Sequence, residues 1–600
     1  MAKPLPRREE VALESTWDIE SIYADVPAWE EGMQRIEALL PELGAYAGKL
    51  NTSAETLVEF LQMRNRADAE MRKVYVWAQL RFDADTGNQA NAALLGRMQG
   101  LFSRYSAALA FAQPELLAMG YERLSQFTFQ QAALKMYRHA FDDLLRQKDH
   151  VRSGEIEALL ARAYQPMTAV DNAYGVLSDA DLKFPVSKAK GRKSLEVAQG
   201  NIGALLSSPD RETRRTAWEA YTDGHLALKN TFAELLAGKV KRTVFLAKAR
   251  NYPDALSYAL SPSNIPTAVY HNAIDACNRN VHIWHRYWDI RRRALKLDKM
   301  ESFDIFAPLA KPPTVKYKQA AKWIIEGLQP LGKKYANTVR DGLLKERWVD
   351  VYPSVGKRSG AYSAGTWGTK PFILMSYSDS GLGGLSTLAH EIGHSMHSHL
   401  ANQAQPVFYS DYSLFIAEVA SNFDQALVRA HLLTLDRGPE FEMAVIQEAM
   451  DNFHRYFFIM PTLSQFELHI HQTVEQGGAL TADGMIEHLA GLFKRGYGDA
   501  VNVDDAREGI TWALFGHLYA DFYVYQYASG IAAANALADA VLKGETNAAE
   551  RYLAALRAGG SMYPIDALQM AGIDMTKPEP MDRAFKVLEG FVDRLEKLVK

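Results

Sequence analysis

The chain has 600 residues, of which 48% are hydrophobic and 23% are charged. This composition is that of an ordinary globular protein and excludes a disordered, collagen-like or disulfide-stabilised chain. Because 67 basic residues are balanced by 71 acidic ones, the charge gives no reason to expect a polyanionic partner, and we predict no binding of nucleic acid. At this length we expect two structural regions or one large, deeply clefted one.

The cysteine content and the apolar segments of the chain bear on its cellular location. The single cysteine, Cys277, leaves no partner for an intrachain disulfide and cannot form a thiolate metal cluster. The N-terminal stretch MAKPLPRREE has no apolar segment of the kind that a secretory signal requires. The most apolar long window, FYVYQYASGIAAANALADAVL, is interrupted by polar residues that would be costly in hydrocarbon. We therefore expect a cytoplasmic protein with no membrane partner.

The first 200 residues have mainly the pattern of helices. Apolar residues within 33–43 follow a 3-4-3 spacing, which places them on one helix face. Thr52 and Glu55 have the spacing of a capping box, so a second helix should begin there. Around residues 183–212 the chain becomes rich in Pro, Gly, Ser and basic residues, which indicates a boundary. We therefore divide the chain into an N-terminal helical region, 1–205, and a C-terminal region, 206–600.

Between residues 348 and 384 the pattern changes to short strands. The stretches WVDVYPSV, SGAYSAGTWGTK and PFILMSYSDSGLGG read as strands joined by Gly-rich turns. A small sheet is therefore predicted just upstream of the histidine-rich stretch STLAHEIGHSMHSHL. After this stretch the chain is helical to its end, so the predicted fold class is mainly α.

His390, Glu391 and His394 form the pattern H-E-x-x-H within the histidine-rich stretch. On a helix, residues four apart lie about 40° from each other around the axis, so both imidazoles can reach one metal ion. The glutamate beside them suits a general base that acts next to a zinc ion with a bound water. The order of strand, Gly-rich turn and apolar-flanked helix is the context that such a site needs.

A third protein ligand must come from elsewhere, because a catalytic zinc keeps three protein ligands and one open position. Glu418 lies 28 residues after His390, on an otherwise apolar helical face. An isolated buried carboxylate would be costly there, and a metal ion would remove the difficulty. We therefore predict one zinc ion per chain, bound by His390, His394 and Glu418.

Seven segments carry a resemblance that covers nearly the whole chain in order: WDIESIYAD, NIPTAVYHNAIDACNRN, GAYSAGTWGTKPFILMSY, HEIGHSMHS, DYSLFIAEVAS, YGDAVNVD and GHLYADFYVYQYASG. With these segments the chain resembles the oligoendopeptidase F branch of the thimet-oligopeptidase-like (M3) zinc metallopeptidases. The resemblance implies a large helical two-region fold of the neurolysin type, with a deep substrate channel and a small sheet beside the zinc-binding helix. Residues 206–600 would be the catalytic region, and the substrates would be short, unstructured peptides cleaved at internal bonds.

The resemblance also implies roles for individual residues. His390, His394 and Glu418 would be the zinc ligands, and Glu391 the general base. A loop of His and Tyr residues would face the metal and stabilise the oxyanion of the tetrahedral intermediate. The matching positions are His517, Tyr519, Tyr523 and Tyr525, among which His517 and Tyr525 are the first choices and Tyr519 the next.

Two departures from the family pattern concern the surroundings of the metal. Gly383 and Gly384 stand where relatives commonly carry an acidic residue that orients a zinc histidine. Asn422, Asp424 and Gln425 stand where a Thr and an Asn-Glu pair are expected. The histidines must therefore be oriented by another group, or the metal is bound more weakly.

Two alternatives stay open at this point. A zinc carboxypeptidase of related helical architecture would use the same ligands but would hold the substrate's terminal carboxylate in a cationic pocket, for which Arg358 or His517 could serve. A non-enzymatic peptide-binding scaffold would need neither an open metal position nor a general base, and the intact motif argues against it. Either a monomer or a homodimer is compatible with the sequence.

Overall fold

The computed structural model describes residues 4–187 and 194–599, so the most basic part of the predicted boundary, 188–193, lies outside the described residues. The chain folds into two compact units. Unit 1 comprises Met1–Asp149, Thr314–Leu432 and Leu537–Gly572, and unit 2 comprises His150–Pro313, Leu433–Ala536 and Ile573–Lys600. Both units are mainly helical, which confirms the predicted fold class.

In chain order, the described residues up to 294 contain the α-helices α1 (Val26–Gly44), α2 (Ala54–Ala84), α3 (Gln89–Leu109), α4 (Ala112–Gln130), α5 (Arg138–Arg146), α6 (Gly154–Met167), α7 (Ala169–Val176), α8 (Ile202–Leu206), α9 (Arg211–Leu226), α10 (Lys229–Ala249), α11 (Ala255–Leu260), α12 (Thr267–Arg279) and α13 (Val281–Ala294). They are followed by α14 (Tyr317–Gly327), α15 (Lys333–Leu344), α16 (Gly383–Ala404), α17 (Leu414–Leu432), α18 (Pro439–Phe453), α19 (Met460–Glu475), α20 (Ala482–Tyr497), α21 (Asp505–Gly509), α22 (Thr511–Leu514), α23 (Tyr525–Leu542), α24 (Ala548–Ala558), α25 (Pro564–Ala571) and α26 (Glu579–Leu598). Among the described residues, none of these helices is long and apolar enough to cross a lipid bilayer.

The two units do not follow the order of the chain. Each unit takes segments from both sides of residue 205, and residue 205 itself lies within unit 2. The division into regions 1–205 and 206–600 therefore describes the sequence rather than the compact units, and it stays a prediction. The deep substrate channel implied by the resemblance also stays a prediction.

The N-terminal helices of unit 1 pack through the apolar faces that their spacing predicts. Of the four residues in the 3-4-3 pattern, Met33, Ile36 and Leu43 of α1 are buried, and Leu40 is partly buried against the same core. The cap of α2 is one residue later than predicted, because the Oγ of Ser53, not of Thr52, accepts a hydrogen bond from the backbone of the first turn. Thr52 instead donates its hydroxyl to a preceding backbone carbonyl.

The predicted small sheet is present in unit 1. Its strands are β2 (Val349–Asp350), β3 (Tyr362–Ala364) and β4 (Phe372–Leu374), with the fully buried β4 in the centre. Strand β2 runs parallel to β4, and β3 runs antiparallel to it at the edge. Both β3 and β4 contact α16, so the sheet lies directly beside the helix that carries H-E-x-x-H.

Unit 2 is built around buried aromatic side chains and a buried ion pair. Trp284 and Trp288 stack with ring centroids 5.7 Å apart in its core. Two short strands, β1 (Met300–Glu301) and β5 (Val501–Asn502), pair in parallel. Nearby, Arg214 donates to Asp304 at 2.9 Å, and the two side chains are 4% and 0% exposed. This ion pair links α9 to the turn that follows β1.

Candidate active site

The two helices that carry the predicted metal ligands, α16 and α17, pack closely at Gly393. A Cβ added to Gly393 would lie 2.5 Å from the Ser421 Cα and closer still to the Ala420 carbonyl oxygen. Any larger residue would push the helices apart, since interaxial distance depends on the side chains at the contact. The glycine between the two histidines of the motif therefore allows Glu418, which lies just before this contact, to approach both.

His390, His394 and Glu418 converge in the structure. One ligand atom from each lies within 4.8 Å of the others. The two imidazole rings are 4.8 Å apart and nearly perpendicular, at 87°. Burial lowers the pKa of both histidines, which keeps the imidazoles neutral and their lone pairs available to a metal. Two neutral imidazoles and a carboxylate are a donor set typical of catalytic zinc sites.

The side chain of Gln425 sets the tautomer and the orientation of His390. The Gln425 Nε2 donates to Ser386, at 2.8 Å from its Oγ and 3.3 Å from its backbone oxygen. The amide oxygen is therefore directed at His390, whose Nδ1 lies 3.2 Å away. Since this oxygen only accepts, His390 carries its proton on Nδ1 and presents the lone pair of Nε2 on the opposite side. One of the two departures from the family pattern is thus the group that orients a ligand.

The contact between His390 and Glu418 fits a cation. The Nε2 of His390 lies 3.5 Å from the Oε2 of Glu418. With the proton on Nδ1, the lone pair of Nε2 faces the carboxylate oxygen at this distance. Both groups carry negative charge density, so they repel each other. A positive ion bound by both atoms removes the repulsion, so the residues present fit the metal that the sequence predicts.

The remaining histidines of α16 pack rather than join the ligand group. His397 is fully buried, and its ring stacks on Tyr412 with centroids 3.5 Å apart. Burial lowers the pKa of His397 to about 3, so this imidazole is neutral. Tyr412 in turn donates its hydroxyl to the backbone oxygen of His394 at 3.3 Å. His399 is half-buried against Trp348.

Glu391 lies between the metal ligands and the edge strand of the sheet. Its side chain is buried, and its carboxylate accepts a hydrogen bond from the backbone N–H of Ser363 on β3. Burial, together with the nearby charge of Glu418, raises the pKa of Glu391 to about 8. A cation held by the three ligands would lower this pKa again and favour the carboxylate that a general base requires. No sequence pattern indicated the contact with Ser363, because it depends on how β3 packs against α16.

Three aromatic side chains of unit 2, His517, Tyr523 and Tyr527, form a group that we call the aromatic cluster. The rings of His517 and Tyr523 are parallel within 2°, with centroids 6.1 Å apart. The Tyr527 ring lies 5.8 Å from His517, and its hydroxyl donates to the Tyr523 hydroxyl at 3.1 Å. All three side chains are partly exposed. Tyr527 was not singled out from the sequence, although its spacing of four from Tyr523 was a usable signal.

The other two predicted tyrosines of this segment have different surroundings. Tyr525 is only 1% exposed, and its ring lies 5.0 Å from that of buried Tyr270. Tyr519 stacks on Tyr174 with centroids 4.2 Å apart. Burial raises the pKa of both Tyr519 and Tyr525, so each phenol keeps its proton. The structure thus brings His517 together with Tyr523.

Arg358, the cation considered for a carboxypeptidase pocket, already forms an ion pair with an acidic residue. It lies 3.3 Å from the buried carboxylate of Asp83, which also accepts a hydrogen bond from the Tyr362 hydroxyl at 2.7 Å. The guanidinium side chain is 56% exposed. Its pairing with Asp83 neutralises part of the charge that a substrate carboxylate would need.

Comparison with known proteins decides the family. The family model described as peptidase family M3 matches residues 204–587, and the model described as oligopeptidase F matches residues 115–184. The chain belongs to peptidase family M3. This confirms the resemblance predicted from the sequence motifs. M3 peptidases are metallopeptidases that act on oligopeptides, so the predicted class of enzyme is confirmed at that level.

Individual relatives of this M3 peptidase match it from end to end. Oligopeptidase PepF of Bacillus subtilis is 37% identical over 600 residues, which cover 100% of this chain and 89% of the relative. Group B oligopeptidase PepB of Streptococcus agalactiae is 33% identical, over 97% of each chain. The crystal structure of oligoendopeptidase-F from Enterococcus faecium superposes with a TM-score of 0.74 at 29% identity, covering 95% of this chain and 98% of that one.

Proposed function

We propose that this M3 peptidase is a zinc-dependent oligoendopeptidase that hydrolyses internal bonds of short, unstructured peptides. The convergence of His390, His394 and Glu418 to within 4.8 Å, with Glu391 buried beside them, is the observation that carries the proposal. The names of the relatives, which include an oligopeptidase and an oligoendopeptidase, support the substrate class.

The residues divide the work of peptide hydrolysis. A zinc ion held by His390, His394 and Glu418 would polarise the scissile carbonyl and acidify the attacking water. Glu391 accepts the proton of that water and later returns it to the leaving amine. His517 and Tyr523 donate hydrogen bonds to the oxygen on which negative charge develops. The reaction needs no covalent acyl-enzyme.

The choice between Tyr523 and Tyr525 as the main donor is open to a direct test. An oxyanion donor must reach the substrate, and Tyr523 is partly exposed beside His517 whereas Tyr525 is buried. We expect Tyr523→Phe to lower kcat by about 10²-fold, as for the loss of one oxyanion donor. Tyr525→Phe, the matched control, should lower kcat much less. Steady-state kinetics at unchanged metal content measure both, and a larger loss for Tyr525→Phe would return the role to Tyr525.

The contact between Gln425 and His390 predicts an effect on metal affinity. Gln425→Leu removes the acceptor for the Nδ1 proton, so His390 loses its fixed tautomer and orientation. We expect the affinity for zinc to fall by about 10- to 100-fold, the usual cost of losing such a partner. Gln425→Glu keeps an acceptor and should bind zinc at least as tightly as the natural chain. Competition with a chromophoric chelator measures these affinities. A zinc affinity of Gln425→Leu equal to that of the natural chain would refute the role of Gln425.

Blocking the C-terminus of the substrate distinguishes an endopeptidase from a carboxypeptidase. We expect a peptide and its C-terminally amidated form to be cleaved at the same internal bond with similar kcat/KM, because an endopeptidase does not hold the terminal carboxylate. Mass spectrometry of the products from both peptides measures this. Loss of cleavage upon amidation would favour the carboxypeptidase and would direct attention to Arg358 and His517.

A further inference from the structure

Residues 516–524, which include His517 and Tyr523 of the aromatic cluster, are held to their own unit by contacts of two adjacent residues. Asp521 accepts hydrogen bonds from the Lys239 ammonium and the Thr243 hydroxyl, both on α10. The next residue, Phe522, donates its backbone N–H to the Glu467 carboxyl on α19 at 2.8 Å. These two anchors directly precede Tyr523, so they constrain the backbone that carries this phenol.

The backbone at the second anchor is strained. Phe522 has a φ of 49°, in the left-handed region that a bulky non-glycine residue rarely adopts. Such a conformation persists only where the surroundings impose it. The hydrogen bond to Glu467 and the burial of the Phe522 ring, which is 1% exposed and packs on His471 and Tyr270, supply these constraints.

The first anchor rests on a buried charge. The Lys239 side chain is 2% exposed, whereas that of its partner Asp521 is 25% exposed. An ammonium group inside a protein needs a nearby negative charge and hydrogen-bond acceptors. Because Lys239 belongs to the regular helix α10 and its side chain is buried, its ammonium group has little freedom to move toward Asp521.

We propose that Lys239 is a positioning residue for the peptidase reaction: through Asp521 it holds residues 516–524 so that His517 and Tyr523 present their donors in one geometry. This inference rests on the proposed function, in which these two side chains stabilise the oxyanion. Hydrogen-bond donors assist such a step only when they are already in place, and small displacements remove most of their effect. A fixed anchor next to the donors meets this requirement.

Lys239→Met tests the proposal, because methionine keeps most of the side-chain length and removes the charge. We expect kcat to fall by about 10- to 100-fold, the cost of misplacing a catalytic group, while KM changes much less. Amide hydrogen exchange of residues 516–524 should become faster, and the metal content should stay the same. Lys239→Arg, which keeps the charge, should restore most of kcat. Asp521→Asn breaks the pair from its less buried side and should lower kcat by the same factor. It replaces Lys239→Met in the test if that variant fails to fold.

Arg214→Met is the matched control, because it removes the more buried of the two arginines that pair with Asp304 in the same unit, while Arg211 keeps its contact. We expect it to lower Tm to a similar extent with an unchanged kcat. The proposal is overturned if Lys239→Met and Asp521→Asn lower kcat no more than Arg214→Met does. It is equally overturned if exchange of residues 516–524 does not change. If the natural chain cleaves no peptide at all, the proposed function fails, and the exchange measurement alone decides whether Lys239 orders the segment.

Discussion

Replacing Glu391 with Gln is expected to lower kcat/KM by about 10²- to 10⁴-fold, the range typical of a general base. The amide cannot accept the proton of the attacking water, although it retains the size of the carboxyl group and can still accept the hydrogen bond from Ser363. Because Glu391 is not among the metal ligands, one zinc ion per chain should stay bound. Kinetics with an internally quenched peptide and metal analysis of the same sample measure the two quantities.

His399→Gln provides a matched control for Glu391→Gln. It also replaces a titratable residue of α16 with Gln, but His399 packs beside Trp348 rather than with the metal ligands. This variant should keep kcat/KM close to that of the natural chain. If Glu391→Gln retained near-full activity with its metal in place, Glu391 would not be the general base.

The second large effect is expected for Glu418→Gln. A neutral amide is a much weaker ligand for zinc than a carboxylate, and it leaves two imidazoles as the remaining protein ligands. Since the loss of a partner outside the ligand set already costs about 10- to 100-fold in metal affinity, we expect a loss of more than about 100-fold for this ligand. Peptidase activity should disappear at limiting zinc and return in part at high zinc. Equilibrium dialysis with metal analysis gives the affinity.

Asp424→Asn is the control on the same helix. Asp424 is fully buried and accepts a hydrogen bond from the Tyr335 hydroxyl at 2.9 Å, and burial raises the pKa of its carboxyl group well above the usual range. Asn keeps the size of the buried carboxyl group and can still accept a hydrogen bond from Tyr335. Zinc affinity should be unchanged. Tight zinc binding by Glu418→Gln, or zinc loss in Asp424→Asn alone, would contradict the assignment of the third ligand.

The parts of the site that the sequence predicted depend on local geometry. His390 and His394 share a helix face because they are four residues apart, and this holds in any α-helix. Glu418 was found because a carboxylate on an apolar face needs a compensating partner, and the structure places it beside both histidines. The small sheet before α16 was likewise visible in short apolar runs separated by glycines.

The parts that the sequence did not predict depend on packing between distant segments. Gln425 orients a histidine 35 residues earlier in the chain only because α16 and α17 touch at Gly393. From the sequence, Gln425 was merely a departure from the family pattern. The pairing of Lys239 with Asp521, 282 residues apart, has no local signature either. For the same reason a change in composition near residue 205 could not show that each compact unit combines separate segments of the chain.

Cleavage of internal peptide bonds with a metal bound by His390, His394 and Glu418 is the activity that we propose for this M3 peptidase. The most direct test is mass spectrometry of the products from a short peptide blocked at both termini, incubated with the purified chain, then with a chelator, and then with zinc restored. We predict a single internal cut that the chelator abolishes and zinc restores. Cleavage that persists after complete removal of the metal, or no cleavage of the blocked peptide under any condition, would contradict the proposed activity.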